Sequence, residues 1–323
     1  MADSDIIYDF AAYLDTDPSR DLCFAARASG LYRSEDGGRT WHMAYASLAL
    51  EAPLPTTSVV ISPHFEMDHS VFAGIPGGVL RSVDGGHHWT MSPLVSPPPV
   101  VSTLAISPNF AHDGALLAGT MEDGVFRSTD HGRHWSAWNF GLLDLNVLSL
   151  AISPNFPDDE TLFVGTESGI FCSINGGRAW REVDLPIGYE PVISLAIVPD
   201  AYEHQRRGPM LADRPWRGII FAGTETQGVL RSTDGGTTWE RVGEKHLTDP
   251  VNAILLPHDF AERKPARAEE ILVLMDKGLF LSRDAGETWV KWQNKRLGGQ
   301  GGSAMLAPHG LGPGAWLLIG LAN

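Results

Sequence analysis

Short apolar runs, bounded by Gly, Pro, Asn and Asp, follow one another in a fixed order along the chain. In "VLSLAISPNFPDDETLFVGTESG" (147–169) a first run (LSLAI) leads through a polar turn to a second (TLFVGT). A third run (GIFCS) follows, then a polar turn ending at Trp180, where a fourth begins. Runs this short, without helical periodicity and punctuated by turn residues, are strand signals. Residues 101–124 and 58–78 repeat the first half of the pattern. No long amphipathic helix is visible, and "ERKPARAEE" (262–270) reads at most as one helical turn.

The turn before the fourth run recurs as "LYRSEDGGRTW" (31–41), "VLRSVDGGHHW" (79–89), "VFRSTDHGRHW" (125–135), "IFCSINGGRAW" (170–180), "VLRSTDGGTTW" (229–239) and "LFLSRDAGETW" (279–289). Units of four strands with a period near 45–50 residues predict an all-β fold, a β-propeller of four-stranded blades. The blades fall at about 6–50, 56–95, 100–140, 146–186, 191–246 and 250–297, in a single domain spanning 1–323. Residues 303–323 read as the first two strands of a seventh unit. The first unit owns its inner strand (8–14), so this tail is not needed to complete it. A seven-bladed ring with a C-terminal half blade is preferred, and a six-bladed ring with an extra hairpin is the alternative. A half blade would leave an edge open to strand pairing with a partner. Gly74, Gly119, Gly165 and Gly223 share one position in the second strand, where backbones are expected to crowd.

In S-x-D-x-G-x-x-W the carboxylate is placed to accept backbone N–H groups just ahead, Gly to supply positive φ, and Trp to cover the turn. Asp36, Asp84, Asp130, Asp234 and Asp284 hold the acidic position and Asn175 replaces them once; the tryptophans are Trp41, Trp89, Trp135, Trp180, Trp239 and Trp289. Asn can still accept those bonds, which points to a structural role. The six boxes resemble the Asp-box, or BNR, repeats of the sialidase-like propeller superfamily, including photosystem II assembly factors and sortilin-type receptors. The resemblance covers nearly the whole chain. It implies the fold, with the box as a rim turn away from any active site; fold alone does not give activity.

The sialidase signatures implied by that resemblance are missing. There is no R-I-P motif, and Tyr189–Glu190 is the best Tyr–Glu pair. Adjacent residues on an extended segment point apart. Carboxylates on the loops between second and third strands, Glu122, Asp123, Glu167, Glu225 and Asp276, are candidates for a ligand site at one mouth of the ring. A glycosidase would use such a pair as acid and base. His64, His258 and His309 share one repeat position, but one position in different blades is spread around the ring. No metal site and no cofactor is therefore expected. No phosphate-binding loop, H-E-x-x-H or G-x-S-x-G motif is present.

Composition sharpens this reading. With 24 basic and 39 acidic residues the net charge is −15, which disfavours nucleic acid and anionic lipid. Two cysteines give neither a disulfide framework nor zinc spacing. The first residues lack a signal-peptide pattern, no run approaches a membrane span, and there is no N-x-S/T sequon. The expectation is a cytoplasmic protein without membrane insertion. Two units carry long insertions between first and second strands. They gather Arg206, Arg207, Arg214, Trp216, Arg217, Arg263, Lys264 and Arg267, a composition suited to a protein partner. The function expected is a non-enzymatic scaffold or assembly subunit. A glycan-binding or glycoside-hydrolase-like propeller is the alternative.

Overall fold

The computed structural model describes residues 5–95, 97–198, 218–243, 247–256, 270–292, 302–311 and 315–321. Blade one contains β1 (Ile7–Tyr13), β2 (Leu22–Arg27), β3 (Gly30–Ser34) and β4 (His42–Met43); blade two, β5 (Ser58–Ile61), β6 (Val71–Ile75), β7 (Gly78–Ser82) and β8 (Thr90–Pro93). Blade three contains β9 (Val100–Ile106), β10 (Leu116–Met121), β11 (Gly124–Ser128) and β12 (Ser136–Ala137). Blade four contains β13 (Val147–Ile152), β14 (Leu162–Thr166), β15 (Ile170–Ser173) and β16 (Arg181–Glu182). Blade five contains β17 (Val192–Val198), β18 (Ile219–Thr224), β19 (Val229–Ser232) and β20 (Glu240–Val242). Blade six contains β21 (Val251–Leu255), β22 (Ile271–Met275), β23 (Gly278–Ser282) and β24 (Val290–Trp292). Each is an antiparallel meander, and β25 (Gly302–Leu306) pairs with β26 (Leu318–Leu321) in a separate two-stranded sheet.

The innermost strands pack side by side around a ring, and β25 packs against both β21 and β1. Register shifts in β1, β9, β13, β17, β21 and β25 let polar side chains there reach the neighbouring strand. Thr57 Oγ1 donates to Val101 O at 2.5 Å and Ser102 Oγ to Val147 O at 2.5 Å. Ser149 Oγ donates to Val192 O at 2.9 Å, and Ser194 Oγ to Val251 O at 2.7 Å. Asn252 Nδ2 donates to Gly302 O at 2.9 Å and Ser303 Oγ to Ile7 O at 2.5 Å. At the remaining junction Asp9 Oδ2 accepts from Ser58 Oγ at 2.8 Å and Val59 N at 3.0 Å. Each such bond contributes about 1 kcal/mol, and together they set the spacing of the blades.

The second strands of the six blades are buried almost throughout, which explains their two-sided apolarity. Their glycines admit the next blade. A Cβ on Gly74 would lie 2.6 Å from Val101 Cγ1, and one on Gly223 would lie 2.6 Å from Val251 Cγ1.

Short helices are the main departure from the sequence reading. α1 (Phe65–Asp68), α2 (Phe110–Asp113) and α3 (Phe156–Asp159) fold the first-to-second-strand turns of blades two, three and four. Their cause is a second carboxylate turn. Ser62, Ser107 and Ser153 donate to Asp68, Asp113 and Asp159, each at 2.6 Å, and the other carboxylate oxygen accepts the backbone N–H two residues on. Phe65, Phe110 and Phe156 are buried beneath. The recurring S-P-x-F carried this signal at a length too short for helical periodicity to show.

Candidate functional site

The repeated boxes are self-contained turns. In the first, Ser34 Oγ donates to Asp36 Oδ1 at 2.7 Å and accepts from Gly38 N at 2.9 Å. Asp36 Oδ1 also accepts from Arg39 N and Thr40 N, and Thr40 Oγ1 donates to Oδ2 at 2.6 Å. Thr238 and Thr288 repeat that last bond to Asp234 and Asp284, and His88 and His134 supply Nδ1 to Asp84 and Asp130 at 2.6 Å. The exception is informative. Asn175 keeps the bonds from Ser173 and from Ala179 N through its single carbonyl oxygen. Its amide NH2 stands where the second carboxylate oxygen would be, and alanine there offers no side-chain donor.

These bonds hold the Asp36 carboxyl below its ordinary range, led by the Thr40 hydroxyl. At Asp84 and Asp130 partial burial opposes the shift, and the bonds from His88 and His134 outweigh it. Asp234 and Asp284 are lowered by the same balance, with Thr238 and Thr288 as donors. The turns also clasp neighbouring blades. Arg33 Nε donates to Gly85 O at 2.8 Å, Arg81 Nε to His131 O at 2.9 Å, and Arg231 Nη1 to Ala285 O at 2.8 Å. Trp89 Nε1 reaches back to Ala44 O, and Trp180 Nε1 to Trp138 O. A carboxylate so committed is no acid, base or metal ligand.

The opposite end of the blades carries the second-to-third-strand loops and the connections between blades. Glu122, Asp123, Glu167, Glu225 and Asp276 all lie here and are exposed. Asn146 links two of them across blades three and four, accepting from Glu122 N at 3.0 Å and donating to Glu167 Oε2 at 3.2 Å. Asp123 O accepts from Asn139 Nδ2, and Asp276 Oδ1 from Asn252 Nδ2. A general acid needs its pKa raised by burial, and exposed carboxylates on separate blades lack that surrounding. Tyr189 and Glu190 point apart: the ring is 79% exposed, whereas Glu190 is buried and accepts from Thr226 N and Oγ1.

Sequence reasoning missed the apolar residues of this end. Phe140 and Leu143 are 80% and 77% exposed on the connection between blades three and four, which starts against blade four's Trp180, whose N donates to Phe140 O at 2.9 Å, and reaches the loops of this end at Asp144–Asn146; Met121 and Leu145 are also exposed. Asp144 Oδ2 accepts from Ser168 N at 2.8 Å and ties this connection to blade four. Beyond Ser168 an open cleft of about 460 Å³ is lined by Glu182, Val183, Asp184, Leu185, Gly188 and Tyr189. Residues 121–124, 138–146, 167–169, 183–191 and 225–228 contain seven carboxylates and no Lys, Arg or His. The signal lay in "WNFGLLDLN", an apolar connection outside any strand.

Arg206, Arg207, Arg214, Trp216, Arg217, Arg263, Lys264 and Arg267 lie outside the described residues, as does His258. His309 Nε2 pairs with the buried Asp21 at 2.5 Å, and His64 stacks edge-on with His112. Among the described residues no group of three His, Cys, Asp or Glu is placed to hold a metal ion. Cys23 and Cys172 are free thiols that burial pushes up to about 12, far from a nucleophile's range. No described helix is long and apolar enough to cross a membrane.

No family model matches the chain, and no curated protein matches it. Among solved structures it is similar to the extracellular domain of BT4673 from B. thetaiotaomicron, with a TM-score of 0.69 and 14% identity over 99% of this chain; it spans 38% of that domain's length. It is similar to YCF48 bound to a D1 peptide, with a TM-score of 0.65 and 16% identity over 95% of this chain and 88% of the other. An ancestral GH74 enzyme matches with a TM-score of 0.50 and 20% identity over 65% of this chain and 26% of the other. At these identities the likeness is one of fold, and the fold is a β-propeller.

Proposed function

We propose that the protein is a non-enzymatic propeller scaffold whose loop end docks a protein segment. The observation that carries this reading is the joint exposure of Phe140, Leu143 and Tyr189 on connections that, together with the loops at 121–124, 167–169 and 225–228, carry seven carboxylates and no basic residue. Exposed aromatics within one sign of charge suit a basic, apolar segment of a partner. A propeller of similar fold, YCF48, is known with a peptide bound, which supports the class of ligand. We read the turns as Asp-boxes and the β25–β26 sheet as half of a seventh blade, because it joins the ring of hydrogen bonds between β21 and β1. The arginine-rich insertions at 199–218 and 258–270 belong to the proposal as a second partner contact. The setting proposed is the cytoplasm.

The test is capture of partners from the native cell extract by wild type and by Phe140→Asp/Tyr189→Asp. Loss of the partner from the double variant supports the reading. Retention of every partner, or glycoside turnover abolished by Glu167→Gln, overturns it.

A further inference from the structure

We propose that a cleft between the turn ends of blades one and two binds the indole ring of a tryptophan carried by a partner polypeptide. The site is separate from the loop end and does not rest on the docking reading given for it.

The protein contains a filled version of this site. Residues 31–46 of blade one match 125–140 of blade three without a gap, and the hydrogen bonds follow the same match. Ala44 N donates to Leu31 O and Trp138 N to Val125 O, each at 2.8 Å. Ala44 O accepts from the box tryptophan of the next blade, Trp89 Nε1, at 3.0 Å, and Trp138 O accepts from Trp180 Nε1 at 2.7 Å. Ala44 and Ala46 therefore stand where Trp138 and Phe140 stand.

In blade three, Trp138 fills the cleft toward blade four. The Arg127 guanidinium lies over its ring, 4.5 Å from the centre, and Arg178 approaches to 5.9 Å. The floor is Gly177, where a Cβ would lie 3.5 Å from Trp138 Cε3. Arg127 is held in place by donating to Gly176 O.

Between blades one and two the frame recurs without the ring. Arg33 takes the place of Arg127 and is fixed by the equivalent bond, from Nε to Gly85 O at 2.8 Å. Gly86 takes the place of Gly177, and His87 that of Arg178. With alanine in place of tryptophan a cleft of about 390 Å³ is open, and Arg33, Met43, Ala44, Ala46, Gly86 and His87 line it. That volume accommodates an indole and the backbone that carries it. A fixed guanidinium in the wall of an open cleft favours an aromatic ring over an aliphatic side chain. Asp36 and Glu35 also line the cleft, and Glu35 pairs with Arg33 at 2.5 Å. These carboxylates repel an anionic indole, so the occupant is the neutral side chain of a polypeptide and not a free indole acid.

The test is an NMR titration of the full chain, isotope-labelled at its methionine methyls, with N-acetyl-tryptophanamide. Ring currents should shift the Met43 methyl saturably and leave the exposed Met67 of α1 unmoved. N-acetyl-leucinamide should bind at least ~10-fold more weakly, and indoleacetate more weakly than the tryptophan amide. Ala46→Trp should abolish the shift, and because Ala46 is exposed the fold should survive it. Trp138→Ala should open a second site, read as a saturable shift of the Gly177 amide that wild type lacks. No shift of Met43 in wild type, equal binding of the leucine amide, an unchanged titration of Ala46→Trp, or no second site in Trp138→Ala overturns the proposal. Indoleacetate binding more tightly than the amide overturns the assignment to a polypeptide.

Discussion

At the turn end of the blades, Asp36, Asp84, Asp130, Asp234 and Asp284 each accept from the backbone N–H four residues ahead, and a Thr or His closes the second oxygen. At the loop end Glu122, Glu167, Glu225 and Asp276 are exposed, their connections vary in length, and Phe140 and Tyr189 stand in solvent. The same repeat builds both ends. One satisfies its polar groups internally, so identical residues recur. The other leaves groups free to meet a ligand, and there the repeat decays. Polar residues near a propeller rim thus differ in function according to whether their hydrogen bonds close locally.

The largest expected effect comes from the ring beneath both ends. Gly223→Ala places a methyl against Ser194 and Val251 and should cost about 3 kcal/mol in urea unfolding. Gly188→Ala, at a loop-end glycine with φ of +74° and no neighbour within 4 Å, should cost only about 1 kcal/mol. Equal costs would remove the contrast between crowded ring and open loop.

Next comes the turn itself. Asp234→Ala should cost about 1–2 kcal/mol. Asn175→Asp with Ala179→Thr rebuilds the full carboxylate turn and should show a favourable coupling of about 0.5–1 kcal/mol in a double-mutant cycle. Additivity there would refute the account of why asparagine and alanine occur together.

Acid separates the groups further. The turn carboxyls are lowered in the folded protein, so their stabilisation is full above about pH 4 and is lost as pH falls through their folded values. Asp234→Asn should flatten the stability profile below pH 4. Asp9 runs the other way. Part of its surface is accessible, yet the strands packed around it push its carboxyl up to about 6. Its contribution is full below about pH 4 and is lost as pH rises through about 6. Asp9→Asn should therefore be more stable than wild type at pH 7.5, with the gain gone by pH 4.

The smallest effect on stability belongs to the loop end. Phe140→Asp/Tyr189→Asp should change the unfolding free energy by less than about 0.5 kcal/mol, because both side chains are exposed.

The blades were legible because each repeats a strand–turn pattern, and the carboxylate turns because Asn175 showed what the position tolerates. The one-turn helices escaped because four residues carry no periodicity. The apolar loop end escaped for another reason. Whether Phe140 is core or surface depends on how the 138–146 connection crosses between blades, which local sequence does not encode.

The central claim, that the loop end docks a protein segment, is tested most directly by quantitative mass spectrometry of proteins captured from the native extract. Wild type, Phe140→Asp/Tyr189→Asp and Asp234→Asn should be compared at equal folded concentration. The account predicts a partner retained by wild type and Asp234→Asn and lost from the loop-end variant. An identical set of proteins on all three would contradict it.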